Sequence, residues 1–229
     1  MQDDEKQAIL LVSWAGTVHL ARKLLETDLK GYNKPIVVVI NEIEATTDGE
    51  SLRWLIDNYR TIPIEGNRWE VGGLEAMLIF TTFEEWILIQ DTLEVKDTSI
   101  FDYMFSEQFD GKSLAYGPNW LCYLGKYRRQ ILTQFPLPVC LNKMDAFYYE
   151  HFLPRMYESV AKDFEGEAIH VLFPEWGNTN PKNTIDEHFG RKNLVLDNPY
   201  LIKRKSLEWK GVKVRALPEL DTLVYIDHK

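Results

Sequence analysis

Residues 84–97 read EEWILIQDTLEVKD, and the chemistry of the run sits at one end. Four apolar residues, Trp86 to Ile89, lead into Gln90 and Asp91, after which the chain turns polar. A short apolar run bounded by polar residues is what a strand buried on both faces requires. The carboxylate at its end is either ordinary surface chemistry or the point where a parallel sheet presents a ligand to a metal or a phosphate. Two other apolar runs end in hydrogen-bonding residues. AILLVSW (8–14) ends in Ser13 and Trp14 before Ala15 and Gly16, and PIVVVIN (35–41) ends in Asn41 before Glu42. In GNRWEVGG (66–73) the pair Gly72 and Gly73 reads as opening a helix. A helix start offers free N–H groups and partial positive charge to an anion, and glycine permits close backbone approach. A tight turn with no ligand accounts for the pair equally well.

These residues meet only if the elements around them bring them together. After the first strand, TVHLARKLLETDLKG places Val18, Ala21, Leu24 and Leu25 at helical spacing, with Gly31 as a stop. The second strand follows, so the start of the chain is a βαβ unit with a right-handed crossover. SLRWLIDNYR (51–60) reads as a helix capped by Ser51, and TIPIEG as a short strand or turn. The segment with the glycine pair becomes helical through Leu74, Met77, Leu78 and Phe80, and the strand ending at Asp91 comes next. Such alternation predicts an α/β fold: a mostly parallel central sheet with helices on both faces. In that architecture ligands gather outside the carboxyl ends of the strands. The rule selects Ser13 to Gly16, Asn41 with Glu42, Gln90 to Thr92, and the loop 66–73.

The second half is richer in Pro, Asn, Gly and aromatic residues. NWLCYLGKYRRQILTQF (119–135) and KMDAFYYEHFLPRMYESVAKDF (143–164) read as helical in places, and EAIHVLFPEW (167–176) as a strand. NLVLDNPYLIKRKSLEW (193–209) and VKVRALPEL (212–220) read as extended and basic. No repeat, low-complexity tract or linker interrupts residues 1–229, which predicts a single domain.

With 45% hydrophobic and 27% charged residues, the composition is that of a soluble globular protein. A net charge of −9 argues against strong sequence-independent nucleic-acid binding. KYRRQ (126–130) and LIKRKSLEWKGVKVR (201–215) are local basic stretches that read first as solvated faces. Cys122 and Cys140 lack a metal-binding spacing and do not require an oxidising compartment. MQDDEKQ is the reverse of a secretory signal, and no apolar run is long enough for a transmembrane segment. The expectation is a cytoplasmic protein. Seven Trp and eleven Tyr suit a groove gripping sugars or bases as well as an ordinary core. The absence of GxxxxGK[ST], of GxGxxG after the first strand and of GxSxG argues against a P-loop, a standard dinucleotide fold and an α/β-hydrolase elbow.

Over roughly residues 8–130, the βαβ half, the loop GNRWEVGG before a helix, and the buried strand ending LIQDT resemble a GT-A glycosyltransferase, a nucleotide-diphospho-sugar transferase fold. The resemblance implies a Rossmann-type nucleotide-sugar-binding half over about residues 1–100 and an irregular acceptor-side half over 101–229. In that family the strand after the nucleotide half commonly ends in Asp-x-Asp. The motif binds a divalent metal, Mn or Mg, that holds the donor diphosphate, since a hard cation takes carboxylate and phosphate oxygens together. Here the sequence is Gln90-Asp91-Thr92-Leu93, so Leu93 replaces the second acid and Asp91 is a lone carboxylate metal ligand. Lys126, Arg128, Arg129, Arg191 and Lys192 are basic residues available to neutralise a diphosphate.

By position the resemblance puts Ser13, Trp14 and Asn41 beside the nucleoside, and Asn67, Gly72 and Gly73 near base and ribose. His188 is a late metal or phosphate ligand, or a hydrogen-bonded structural histidine. Asp145 and Glu150 are catalytic-base candidates for an inverting enzyme, or solvent-facing helix acids; a retaining enzyme needs no such base. Trp120, Tyr123 and Tyr127 either stack on a sugar or base or belong to the core. The implied activity moves a sugar from a nucleotide diphosphate to an unidentified acceptor: a nucleic-acid base, a lipid-linked sugar, a protein or a glycan. A catalytically inactive nucleotide-binding protein of the same fold suits the missing second acid. A nucleotidyltransferase or methyltransferase is the further α/β alternative.

Overall fold

The computed structural model of the chain describes residues 6–106, 124–137, 139–140, 145, 153, 156–157, 159–161, 193–197 and 199–206. Strand and helix alternate as the sequence predicts. β1 (Gln7–Trp14), a 3-10 turn (Ala15–Thr17), α1 (Val18–Glu26), β2 (Ile36–Asn41), α2 (Gly49–Asn58), β3 (Arg60–Ile64), α3 (Trp69–Phe80) and β4 (Glu85–Gln90) follow in order. The central sheet runs β3-β2-β1-β4-β6, with β6 (Leu124–Arg128) antiparallel to β4 and the other neighbours parallel. β1 lies between two strands, with Leu10 paired to Val37 on one side and Leu88 on the other. Burial on both faces explains why β1, β2 and β4 are nearly unbroken aliphatic runs. β3 is the outer strand, and its Pro63 pairs with Ile40.

Right-handed crossovers dictate where the helices go. α1 and α2 pack on each other along one face, and α3 lies across β1 and β2. Gly72 and Gly73 do not open α3, because the helix begins at Trp69 and the pair sits buried in its second turn. The Gly72 N–H is taken by the Arg68 carbonyl at 3.0 Å. A Cβ on Gly73 would stand 2.5 Å from Val12 Cγ2, and one on Gly72 would stand 2.7 Å from Arg68 Cβ and 3.1 Å from Asn41 Oδ1. The glycines let helix and sheet approach closely.

Two other sequence expectations are corrected. Asp48, not Ser51, caps α2: its carboxylate accepts from the Ser51 N–H at 3.0 Å. That bond holds the Asp48 carboxyl below the usual aspartate range. In the stretch 119–135, read as helical in places, residues 124–128 form β6, and among the described residues the helical part is α5 (Arg129–Leu132). The strand wins because β4 needs a partner on its outer side, and Trp86 and Tyr127 stand opposite each other across that pairing.

Arg129 directly after β6 holds the carboxyl end of α3. Its guanidinium donates to the carbonyls of Met77 (2.7 Å), Leu78 (2.8 Å), Thr81 (2.8 Å) and Phe83 (2.8 Å) and lies over the Trp86 ring. A cation at a helix carboxyl terminus satisfies carbonyls that have no partner within the helix.

Beyond β4, a second sheet forms from β5 (Leu93–Val95), β8 (Leu201–Ser206) and β7 (Asn193–Asp197), in the order β5-β8-β7, all antiparallel. The extended reading of 193–206 therefore holds as a hairpin. α4 (Ser99–Phe105) buries Ile100, Phe101 and Met104. Among the described residues no helix is long and apolar enough to cross a membrane.

Gly73→Ala sets helix propensity, a gain of about 1 kcal/mol, against overpacking on Val12, a loss of about 1–3 kcal/mol. The expected balance in urea unfolding is a less stable protein, and a stabilised variant would refute the close contact. Arg129→Ala takes this donor from four carbonyls, of which that of Met77 keeps the Thr81 hydroxyl at 2.6 Å, and is expected to lower stability by about 3 kcal/mol. An unchanged urea midpoint would show that the cap contributes nothing.

Candidate functional site

β1, β2 and β3 end level at Trp14, Asn41 and Ile64, and β4 ends at Gln90 in register with Val12, so that their carboxyl ends form one rim. Strand order reverses between β1 and β4: α1 leads away to β2, and α3 returns across the sheet to β4. A crevice at such a reversal is where open α/β sheets bind ligands. Asp91 stands at this place. Its backbone N–H donates to the Val12 carbonyl at 3.2 Å, extending the β1–β4 pairing by one residue. The residue is 8% exposed, and its Oδ2 accepts from Ser13 Oγ at 2.7 Å and from Thr17 Oγ1 at 2.5 Å. Side chains alternate along β1, so Val12 meets α3 while Ser13 faces the side on which α1 begins.

Asn41 organises the neighbouring part of the rim. Its Nδ2 donates to the Ser13 carbonyl at 3.3 Å and to the Trp69 carbonyl at 3.2 Å, while Oδ1 accepts from the Arg68 N–H at 3.0 Å. The end of β1, the end of β2 and the start of α3 are thus joined through one buried amide. Asn67 Oδ1 accepts from the Trp69 N–H at 3.1 Å, shaping the turn into the helix. Glu42 and Trp69 both adopt left-handed backbone, with φ of 54° and 51°. Non-glycine residues rarely hold that conformation, and where they do it often marks a functional loop. Glu42 is held there by its N–H to the Gly66 carbonyl at 2.8 Å, and its carboxylate accepts from the Trp14 indole N–H. The Trp14 ring lies over Gly16, where a Cβ would meet it at 2.0 Å. On the α3 side, buried Glu70 accepts from Gln90 Nε2.

Ser13, Trp14, Asn41, Asn67 and Asp91 are therefore brought to one rim, with Gly72 directly behind Asn41 and Gly73 against Val12. The basic residues of 126–129 are not. Lys126 pairs across from Ile87, and Arg128 from Glu85, at the amino end of β4. At about 3.3 Å per residue, Lys126 lies roughly 10 Å from the rim. Its ammonium is buried, 3.3 Å from Glu85 Oε2, and desolvation pulls it below the usual lysine range against the opposing effect of Glu85. Arg129 is taken up by α3. Tyr127 is buried and meets Tyr157 edge to face at 5.5 Å, so it is core and does not stack on a ligand. Asp145 is helical and half-buried. Glu150, His188, Arg191, Lys192, Trp120 and Tyr123 lie outside the described residues.

Thr17 and Glu70 were not singled out by sequence reasoning. A threonine just before a helix reads as an N-cap, and an acid in a helix's first turn reads as a dipole partner. Neither pattern signals a side chain turned to a strand end.

Among the described residues no group of three or more His, Cys, Asp or Glu forms a metal cage. Leu93, two residues after Asp91, is buried in the core. The donor set fits a hard cation that keeps one protein carboxylate and takes its other oxygens from phosphate and water, as Mg²⁺ commonly does. Asp91 would be that ligand.

No family model matches the chain, and no curated protein matches it. Several solved structures show a general likeness. One is the mannosyltransferase PcManGT from Pyrobaculum calidifontis in complex with GDP-Man and Mn2+, 15% identical over 58% of this chain and 48% of that one, TM-score 0.45. Another is glucosyl-3-phosphoglycerate synthase from Mycobacterium tuberculosis in complex with Mn2+ and UDP-glucose, 11% identical over 89% and 87%, TM-score 0.48. A third is S. aureus TarS 1–349, 12% identical over 65% and 56%, TM-score 0.43. The chain spans about half the length of the mannosyltransferase and of TarS. At these scores residue roles do not transfer from those proteins.

Asn41→Ala leaves the Arg68 N–H without its partner and removes the amide donors to the Ser13 and Trp69 carbonyls. The expected loss is about 2 kcal/mol in urea unfolding. An unchanged midpoint would mean that water replaces the amide and that the rim is not organised through it.

Proposed function

We propose that the chain is a glycosyltransferase that takes a sugar from a nucleotide-diphosphate donor bound at the rim between β1 and β4. The observation that carries the reading is Asp91, a buried carboxylate held by two hydroxyls where strand order reverses. Asp91, Glu42 and Glu70 make the described rim acidic, and Arg68 there pairs with Glu75. A bare diphosphate would meet repulsion, whereas a diphosphate carrying Mn²⁺ or Mg²⁺ would meet a ligand in Asp91. The cation would offset charge on the leaving nucleotide as the sugar–oxygen bond breaks. Ser13, Trp14, Asn41 and Asn67 would flank the nucleoside. Asp145 or Glu150 would take the acceptor proton in an inverting reaction, and His188 and Arg191 would complete the phosphate contacts.

A second reading is favoured by buried Leu93: a protein of the same fold that binds the nucleotide without transferring the sugar. Donor hydrolysis or transfer by the purified chain separates the two.

Thermal shift with UDP- and GDP-sugars, with Mn²⁺ and with EDTA, tests the proposal. At a ligand concentration of 100 times Kd, binding adds about 2.7 kcal/mol, a rise of roughly 5–10 °C for a chain of this size. Asp91→Ala is expected to abolish the shift and Asp91→Asn to reduce it while keeping a hydrogen-bonded side chain at the rim. No shift with any nucleotide sugar, with or without metal, overturns the proposal.

A further inference from the structure

Thr17 occupies the N-cap position of α1, where a threonine hydroxyl ordinarily accepts from an N–H of the first turn. It makes no such cap. Instead Oγ1 lies 2.5 Å from Asp91 Oδ2, with the residue 3% exposed. Ser13 Oγ reaches the same oxygen from β1 at 2.7 Å. A hydroxyl has one proton to give. Each also lies near the Trp14 carbonyl, at 3.4 Å for Ser13 and 3.1 Å for Thr17, but Asp91 is the shorter contact for both.

Two donors from two different elements therefore converge on one carboxylate oxygen. With Oδ2 held from two sides, the carboxylate plane has one orientation and the position of Oδ1 is fixed with it. A cation gripped by two acids is located by both. One gripped by a single acid is located only as well as that acid is, and Leu93 has removed the second. A helix that leaves its own cap unmade to hold a side chain at a strand end breaks a local rule where a site would gain from it.

We propose that Ser13 and Thr17 are positioning residues that fix Asp91 for a divalent cation arriving with a nucleoside diphosphate, and that this fixing replaces the second acid of the motif. The inference rests on the donor-site reading above. Its chemistry is that of an outer-shell partner, which orients a ligand without touching the metal.

Calorimetric titration of the intact chain with UDP and with GDP, each in Mn²⁺ and in EDTA, gives the ratio of the two dissociation constants for each nucleotide. The wild type is expected to bind more tightly with Mn²⁺. Thr17→Val keeps the size and removes the hydroxyl, and it is expected to cut that metal-dependent gain at least about tenfold. Ser13→Ala is expected to cut it similarly, and Thr17→Ser to restore it. A hydroxyl with a purely structural role would lower the melting temperature and leave the ratio alone. An unchanged ratio in folded Thr17→Val and Ser13→Ala, or a wild-type ratio of one, overturns this inference and leaves nucleotide binding standing. Absence of binding by the wild type in either buffer overturns both. Should Thr17→Val fail to fold, the Ser13→Ala ratio decides.

Discussion

The rim of this protein depends on the need to satisfy one buried carboxylate. A charge withdrawn from water is destabilising by several kcal/mol unless hydrogen bonds replace its hydration. Asp91 meets that need with the hydroxyls of Ser13 and Thr17, and so the end of β4, the end of β1 and the start of α1 are tied at one point. Asn41 performs the neighbouring task for β2 and α3 through neutral hydrogen bonds. Between them, these two side chains convert five element ends into one surface of fixed shape.

The distribution of charge follows from the same architecture. Lys126 is held by Glu85 deep in the β4–β6 pairing, and Arg129 is held by the last carbonyls of α3. Both belong to the scaffold. The described side chains at the rim are mainly carboxylates, amides and indoles. An anionic ligand at that rim is compatible with the structure when it brings positive charge with it, which is the common thread between the lone acid, the acidic surroundings and the proposed donor.

The parallel core was legible in the sequence because burial on both faces leaves runs of Val, Ile and Leu that no other element uses so densely. The strand ends were legible too, since polar residues must begin where the sheet stops. Residues 124–128 were not: Leu-Gly-Lys-Tyr-Arg carries no strand period, and its conformation is set by the free side of β4. The glycine pair was misread as the start of a helix because glycine serves helix openings and close packing alike, whereas α3 begins at Trp69 and the pair lies against Val12 and Asn41. Thr17 was hidden by its own ordinariness, as a threonine ahead of a helix already has a familiar role. In each case the deciding partner lies far away along the chain.

β3 closes the central sheet on the side away from β6, and its outer backbone groups face no other strand in the described structure. Such a margin is a template for another chain, the usual start of ribbon-like aggregation. Pro63 interrupts it: the ring has no N–H to offer, and proline is tolerated in a sheet chiefly at this kind of boundary. Arg60, exposed at the beginning of the same strand with its guanidinium donating to the Phe80 carbonyl, adds charge repulsion between like copies. The margin that topology leaves open is thus guarded by chemistry, at the edge of a described sheet of four parallel strands and one antiparallel strand.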